Sequence, residues 1–260
     1  MSKQVIFCNC GSKLIGSERL KGISDHLEIK NCQVIEISDL CGCAVEKPDE
    51  IRKLFNGSDD FLIIACYPRS VSLLLGKCGI EIKSLNLNYI NFRELNNIQI
   101  FKEIDTFLES EEGSRKPDYL SYNNEWPSWF PIIDNSRCNS CGQCSDFCLF
   151  GVYEKIDNKV VVVNPKGCKY NCPACARICP QIAIIFPKYE HSGAIAGSET
   201  FDELAEQRRQ NSDIDTILGT NIYKALEMRK AKRQSIIRST AMQQAIVERE
   251  KALAEKNPNQ

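Results

Sequence analysis

The sequence predicts α/β plus α+β architecture: a small parallel-sheet α/β domain at the N-terminus, a central cysteine-rich module and a C-terminal helical tail. Three observations carry this prediction. Apolar runs alternate with helical patterns from Gln4 to Leu108, eight cysteines crowd the stretch from Cys138 to Cys179, and neither Gly nor Pro occurs between Thr220 and Asn257.

In the first region the apolar runs are VIFC at Val5, CQVIEI at Cys32, FLIIAC at Phe61 and LNLNYINF at Leu85. Helical patterns fall at Ser17 to Ile29, Pro48 to Phe55, Ser70 to Gly76 and Ile98 to Leu108. Strands alternating with helices predict a parallel sheet covered by its crossovers. The domain is read as residues 1–108.

A polar, Pro-containing segment follows, and residues 109–131 read as a linker with few regular elements. Its aromatics Trp126, Trp129 and Phe130 are expected to pack the linker against a neighbouring domain, because aromatics bury large areas. Residues 132–190 form the cysteine module and residues 198–257 the tail. In the tail, Lys224, Arg229, Lys230, Lys232, Arg233 and Arg238 face a single Glu227 across the same span. Ile222, Leu226, Met228, Ile236, Ile237 and Ile246 supply a partial apolar stripe. This basic helix is expected to dock an acidic partner or an anionic surface, or else to lie solvated against the protein itself.

Composition narrows the function classes. A formal net charge of -1, from 33 Lys+Arg against 34 Asp+Glu, gives no basic field for nucleic acid. No run approaches the ~18 apolar residues of a membrane span. The start, MSKQVIFCNC, has no secretory h-region, so a cytoplasmic protein with reduced thiols is expected. In that setting fifteen cysteines favour metal ligation over disulfides. No P-loop, G-x-G-x-x-G turn or Ser/His/Asp set occurs, and no catalytic residue is nominated.

The cysteine module repeats one motif. Cys138, Cys141, Cys144 and Cys148 are spaced C-x2-C-x2-C-x3-C, and Cys168, Cys172, Cys175 and Cys179 follow with Pro180 behind. In such runs a tight loop presents three sulfurs to one cluster, and the fourth cysteine reaches the other. Cluster one is then held by Cys138, Cys141, Cys144 and Cys179, and cluster two by Cys168, Cys172, Cys175 and Cys148. Zinc is the competing reading, but zinc knuckles do not use this compressed spacing, and two histidines leave little for mixed ligation. The module resembles the bacterial dicluster ferredoxins, which implies a ferredoxin-like fold with two 4Fe-4S clusters. It departs from them in having Leu149 after Cys148 and three residues between Cys168 and Cys172.

Seven further cysteines lie in the first domain: Cys8, Cys10, Cys32, Cys41, Cys43, Cys66 and Cys78. Several follow predicted strands, at the sheet edge where α/β proteins bind ligands. The segments FCNCG, LCG, ACYPR, Cys78 and INFRE resemble the N-terminal domain of the flavin-bearing subunit of heterodisulfide reductase. That resemblance implies a third 4Fe-4S cluster on Cys10, Cys41, Cys66 and Cys78, with Cys8 or Cys43 as substitutes. The alternative is a set of buried thiols acting as small apolar side chains. Cys32 reads as core. The leading expectation is an iron-sulfur electron carrier or non-catalytic oxidoreductase subunit, partnered by redox proteins; a redox sensor or regulatory adaptor is the alternative.

Overall fold

The structure, a computed structural model, describes residues 3–10, 14–56, 60–109, 117–121 and 126–209. In the N-terminal region β1 (Lys3–Cys8), α1 (Ser17–Glu28), β2 (Gln33–Ile37), α2 (Leu40–Glu46), α3 (Pro48–Leu54), β3 (Asp60–Ala65), α4 (Pro68–Lys77), β4 (Asn86–Asn91), α5 (Asn97–Leu108) and β5 (Asp118–Leu120) follow in order. Among the described residues the main sheet runs β4-β3-β1-β2-β5, and each pairing is parallel. Helices α1 and α5 contact one another on one face, and α2, α3 and α4 on the other.

Central strands of such a sheet are covered on both faces, so they read as continuous apolar runs. Five consecutive buried residues in β1 and in β3 follow that rule, whereas β4 at the edge alternates until Ile90. The expected linker supplies a regular element: Asp118–Leu120 adds an edge strand beside β2. Three residues in a polar segment give too short a pattern to recognise from sequence.

Chain order fixes where a site forms. The chain leaves β1 to β2 on one side, then crosses back to β3 on the other, so the neighbours of β1 are wound in opposite directions. The crevice at the carboxyl ends of β1 and its neighbours is therefore a topological switch point.

The second region holds β6 (Ile132–Ile133), α6 (Gln143–Phe147), β7 (Tyr153–Ile156), β8 (Lys159–Val162), α7 (Ala174–Arg177) and β9 (Ile184–Ile185). Strands β6 and β9 pair antiparallel and close the module. The β7–β8 hairpin turns at Asp157 and Asn158, both at positive φ (48° and 60°), the backbone that a two-residue hairpin of matching twist needs.

Both regions belong to one compact unit, Met1–Gln210. Their cores interleave: Phe130 and Ile132 join the core of the sheet, while Tyr67 joins that of the cysteine module. Trp129 stacks on Phe186 at 5.0 Å and Trp126 on Phe130 at 5.6 Å, the packing role expected of these aromatics. A part-buried ion pair links Arg69 at the start of α4 to Asp134 after β6, with Nη2 2.7 Å from Oδ2. Ser70 Oγ donates to Ala196 O (2.7 Å), and a Cβ on Gly197 would collide with that hydroxyl. Residues 203–209 are helical; the rest of the expected tail lies outside the described residues.

Candidate metal centres

The first motif winds into a loop before α6. Ser140 and Gly142 take positive φ (58° and 85°), Cys141 N–H donates to Asn139 Oδ1 (3.2 Å), and Ser140 N–H donates to Cys138 Sγ (3.4 Å). These turns aim Cys138, Cys141 and Cys144 into one pocket, which Cys179 enters from the second motif. Ala183 N–H donates to Cys179 Sγ at 3.4 Å.

The second motif mirrors the first. Cys172 N–H closes a turn on Lys169 O (3.2 Å), and Asn171 takes the left-handed conformation (φ 56°), which absorbs the extra residue between Cys168 and Cys172. Cys175 on α7 lies near Cys168 and Cys148, and Cys168 near Cys172 and Cys148. Tyr153 on β7 donates its hydroxyl to Cys175 Sγ at 3.0 Å. Leu149, standing after Cys148, is 64% exposed.

At the switch point of the main sheet, Cys8 ends β1, Cys10 follows it, Cys66 follows β3, and Cys41 sits in the first turn of α2 beyond β2. These four line one pocket with Asp39, Arg93, Pro187 and Lys188. Leu40 N–H donates to Cys8 Sγ at 3.5 Å.

Cys78 stands elsewhere, which corrects the expected set. Helix α4 begins just after Cys66 and runs ten residues, about 15 Å, away from the crevice before Cys78 caps it. There Cys78 is buried, its Sγ 3.7 Å from Ala44 O. Cys43, two positions beyond Cys41 on α2, points about 200° around the helix and into the core. Of the two nominated substitutes, Cys8 is the one beside Cys10, Cys41 and Cys66. Cys32 is core, as expected.

The donor chemistry fits iron-sulfur groups. Burial first, then repulsion from neighbouring thiols, pushes Cys144, Cys168 and Cys66 each up to about 12. Such sulfurs become thiolates only when a cationic core lies among them. Around the N-terminal pocket the chain adds cations that the sequence did not mark. Arg93 favours the Cys66 thiolate, and Lys188 bonds to buried Asp39. Burial would lower the Lys188 ammonium, but Cys41 and Asp39 outweigh it and hold the group above its ordinary range. Sequence distance from the N-terminal cysteines hides Arg93 and Lys188; only the fold joins them.

Comparison with known proteins agrees. The family described as 4Fe-4S dicluster domain matches residues 130–213. The chain is 38% identical over 96 residues to an uncharacterized ferredoxin of Methanocaldococcus jannaschii, covering 35% of this chain and 60% of that protein. It is 34% identical over 77 residues to ferredoxin-3 of a Nostoc species, covering 22% and 78%, and 34% identical over 59 residues to pyruvate synthase subunit PorD of M. jannaschii, covering 23% and 67%. No solved structure matches the chain. Through this module, with its two 4Fe-4S clusters and its work in iron-sulfur electron transfer, the chain belongs to the ferredoxin family.

Proposed function

We propose that the chain is an electron-wiring subunit of a cytoplasmic oxidoreductase complex, with a third 4Fe-4S cluster in its N-terminal domain. The observation that carries this reading is the cysteine pocket at the sheet's switch point, pressed against a ferredoxin module within one compact unit. The resemblance of the first domain to the flavin-bearing subunit of heterodisulfide reductase supports it, as does the likeness to a pyruvate synthase subunit.

In this reading Cys138, Cys141, Cys144 and Cys179 hold cluster one, and Cys148, Cys168, Cys172 and Cys175 hold cluster two. Cys8, Cys10, Cys41 and Cys66 hold the third. Bound clusters supply one-electron oxidation and reduction without making or breaking a substrate bond. The chain's own residues fix the thiolates, exclude water and donate hydrogen bonds to sulfur: Tyr153 to Cys175, Leu40 to Cys8 and Ala183 to Cys179. The Arg69–Asp134 pair and the Ser70 bond to Ala196 hold the two modules in register.

Iron counting after anaerobic reconstitution tests the third cluster. About twelve irons per chain are expected from three cubanes, and about eight would remove the third. Cys8→Ser should lower the count by about four, whereas Cys78→Ala should leave it unchanged. Anaerobic purification of the full chain from its native host tests the wiring role. Recovery with an oxidoreductase is expected, and recovery of the chain by itself would refute it.

A further inference from the structure

The N-terminal pocket is not completed by its own domain. Lys188, three residues beyond β9 and 8% exposed, reaches in from the ferredoxin module to line the pocket beside Cys8, Cys10, Cys41 and Cys66. Its ammonium has three partners: the Asp39 carboxylate, Ser128 Oγ at 2.5 Å and Pro127 O at 3.2 Å. Asp39 is fixed in turn, accepting from Ser128 Oγ (2.6 Å) and from Gly42 N–H (3.2 Å). With every donor satisfied, the charge cannot swing away.

Burying such a pair costs desolvation energy, and an apolar pair of the same shape often serves stability as well or better. Stability therefore gives a weak reason for a lysine here. Its position gives a stronger one. A cubane with four thiolates is a net anion that gains a further negative charge on reduction, so a fixed cation beside it favours the reduced state, and a fixed anion the oxidised state. Lys188 and Asp39 act on the Cys41 sulfur with opposite sign, and Arg93 adds a second cation on the Cys66 side.

We propose that Lys188 is a positioning residue for the N-terminal cluster: the ferredoxin module inserts its ammonium beside that cluster's thiolates and thereby raises the cluster's reduction potential. This deepens the three-cluster reading and rests on it. Reduction adds one electron from the ferredoxin pair, with no bond made and no proton required. The site accepts that electron only as well as the neighbouring module's lysine allows.

The test uses the full chain, reconstituted anaerobically, with iron counted and each cluster's potential followed by EPR-monitored redox titration. Lys188→Gln should shift the N-terminal potential downward and leave both ferredoxin potentials in place, Lys188→Arg should restore it, and Asp39→Asn should shift it upward. A merely structural role predicts no such reversal of sign. An unmoved potential in Lys188→Gln at full iron content overturns the proposal, as does an equal shift in Lys188→Arg. If Lys188→Gln loses its cluster, Asp39→Asn decides: an upward shift supports the proposal and no shift overturns it. About eight irons in the unmodified chain defeats the three-cluster reading itself, an outcome distinct from a present but unmoved cluster.

Discussion

The ferredoxin quartets and the N-terminal quartet gather their cysteines by opposite means. In the ferredoxin module each motif spends its few residues on a loop whose left-handed turns at Ser140, Gly142 and Asn171 point three sulfurs inward, and only the fourth is borrowed. At the sheet edge no two of the four cysteines but Cys8 and Cys10 share a segment, and the parallel order of β3, β1 and β2 brings the rest together. One site is written in local spacing and turns. The other is written in topology and has an apolar core beneath it.

That contrast sets the size of the expected effects. The largest separates Cys144→Ser from Cys41→Ser. Because metal binding contributes folding energy to loops that are gathered around it, Cys144→Ser should lose iron and loosen residues around both motifs, seen as lost hydrogen-exchange protection across them. Cys41→Ser should lose about four irons while protection of β1 and β3 stays at its original level. Equal loss of protection in both regions would erase the distinction.

Next in size is the clamp between the regions. Removing Arg69 leaves the buried Asp134 carboxylate without its charge partner, so Arg69→Ala should lower the denaturation midpoint and loosen the module junction. Burial would raise the Asp134 carboxyl, but Ser136 and Arg69 outweigh it and hold the group below its ordinary value. A depressed carboxyl contributes stability that is present above about pH 4 and lost as pH falls through the folded value. Asp134→Asn should therefore flatten the acid limb of the stability curve below about pH 4. An unchanged acid limb would assign the clamp elsewhere.

The smallest effect belongs to Tyr153→Phe. Losing the O–H···S bond to Cys175 should lower the potential of cluster two without loss of iron, because hydrogen bonds to sulfur favour the reduced state. Voltammetry of the two ferredoxin clusters checks this, and a shift confined to cluster one would contradict the ligand sets.

The same contrast explains what was legible in the sequence. Spacing alone gathers Cys138, Cys141, Cys144 and Cys179, because loop geometry is local and the crossed fourth cysteine is part of the pattern. Strands β1 to β4 were readable because doubly covered strands leave continuous apolar runs. Helix α2 was not: seven residues with an internal glycine, in LCGCAVE, show too little periodicity, although Asp39 just before it is an N-cap signal. Missing α2 concealed which face Cys43 takes. Cys78 misled for a related reason, since its place depends on the direction in which α4 carries the chain, a property no spacing records. Lys188 lies 149 residues from Asp39, beyond any local pattern.

The interleaved cores also bear on the order in which the chain can mature. Phe130 and Ile132 complete the sheet's core, and Lys188 closes its cysteine pocket. During synthesis, then, the first-made cysteines wait for a wall made well over a hundred residues later. Before that wall is made, the crevice has Arg93 beside it but lacks the Lys188 ammonium. A cluster held by the N-terminal cysteines would therefore be enclosed only once the ferredoxin module has been made and has docked.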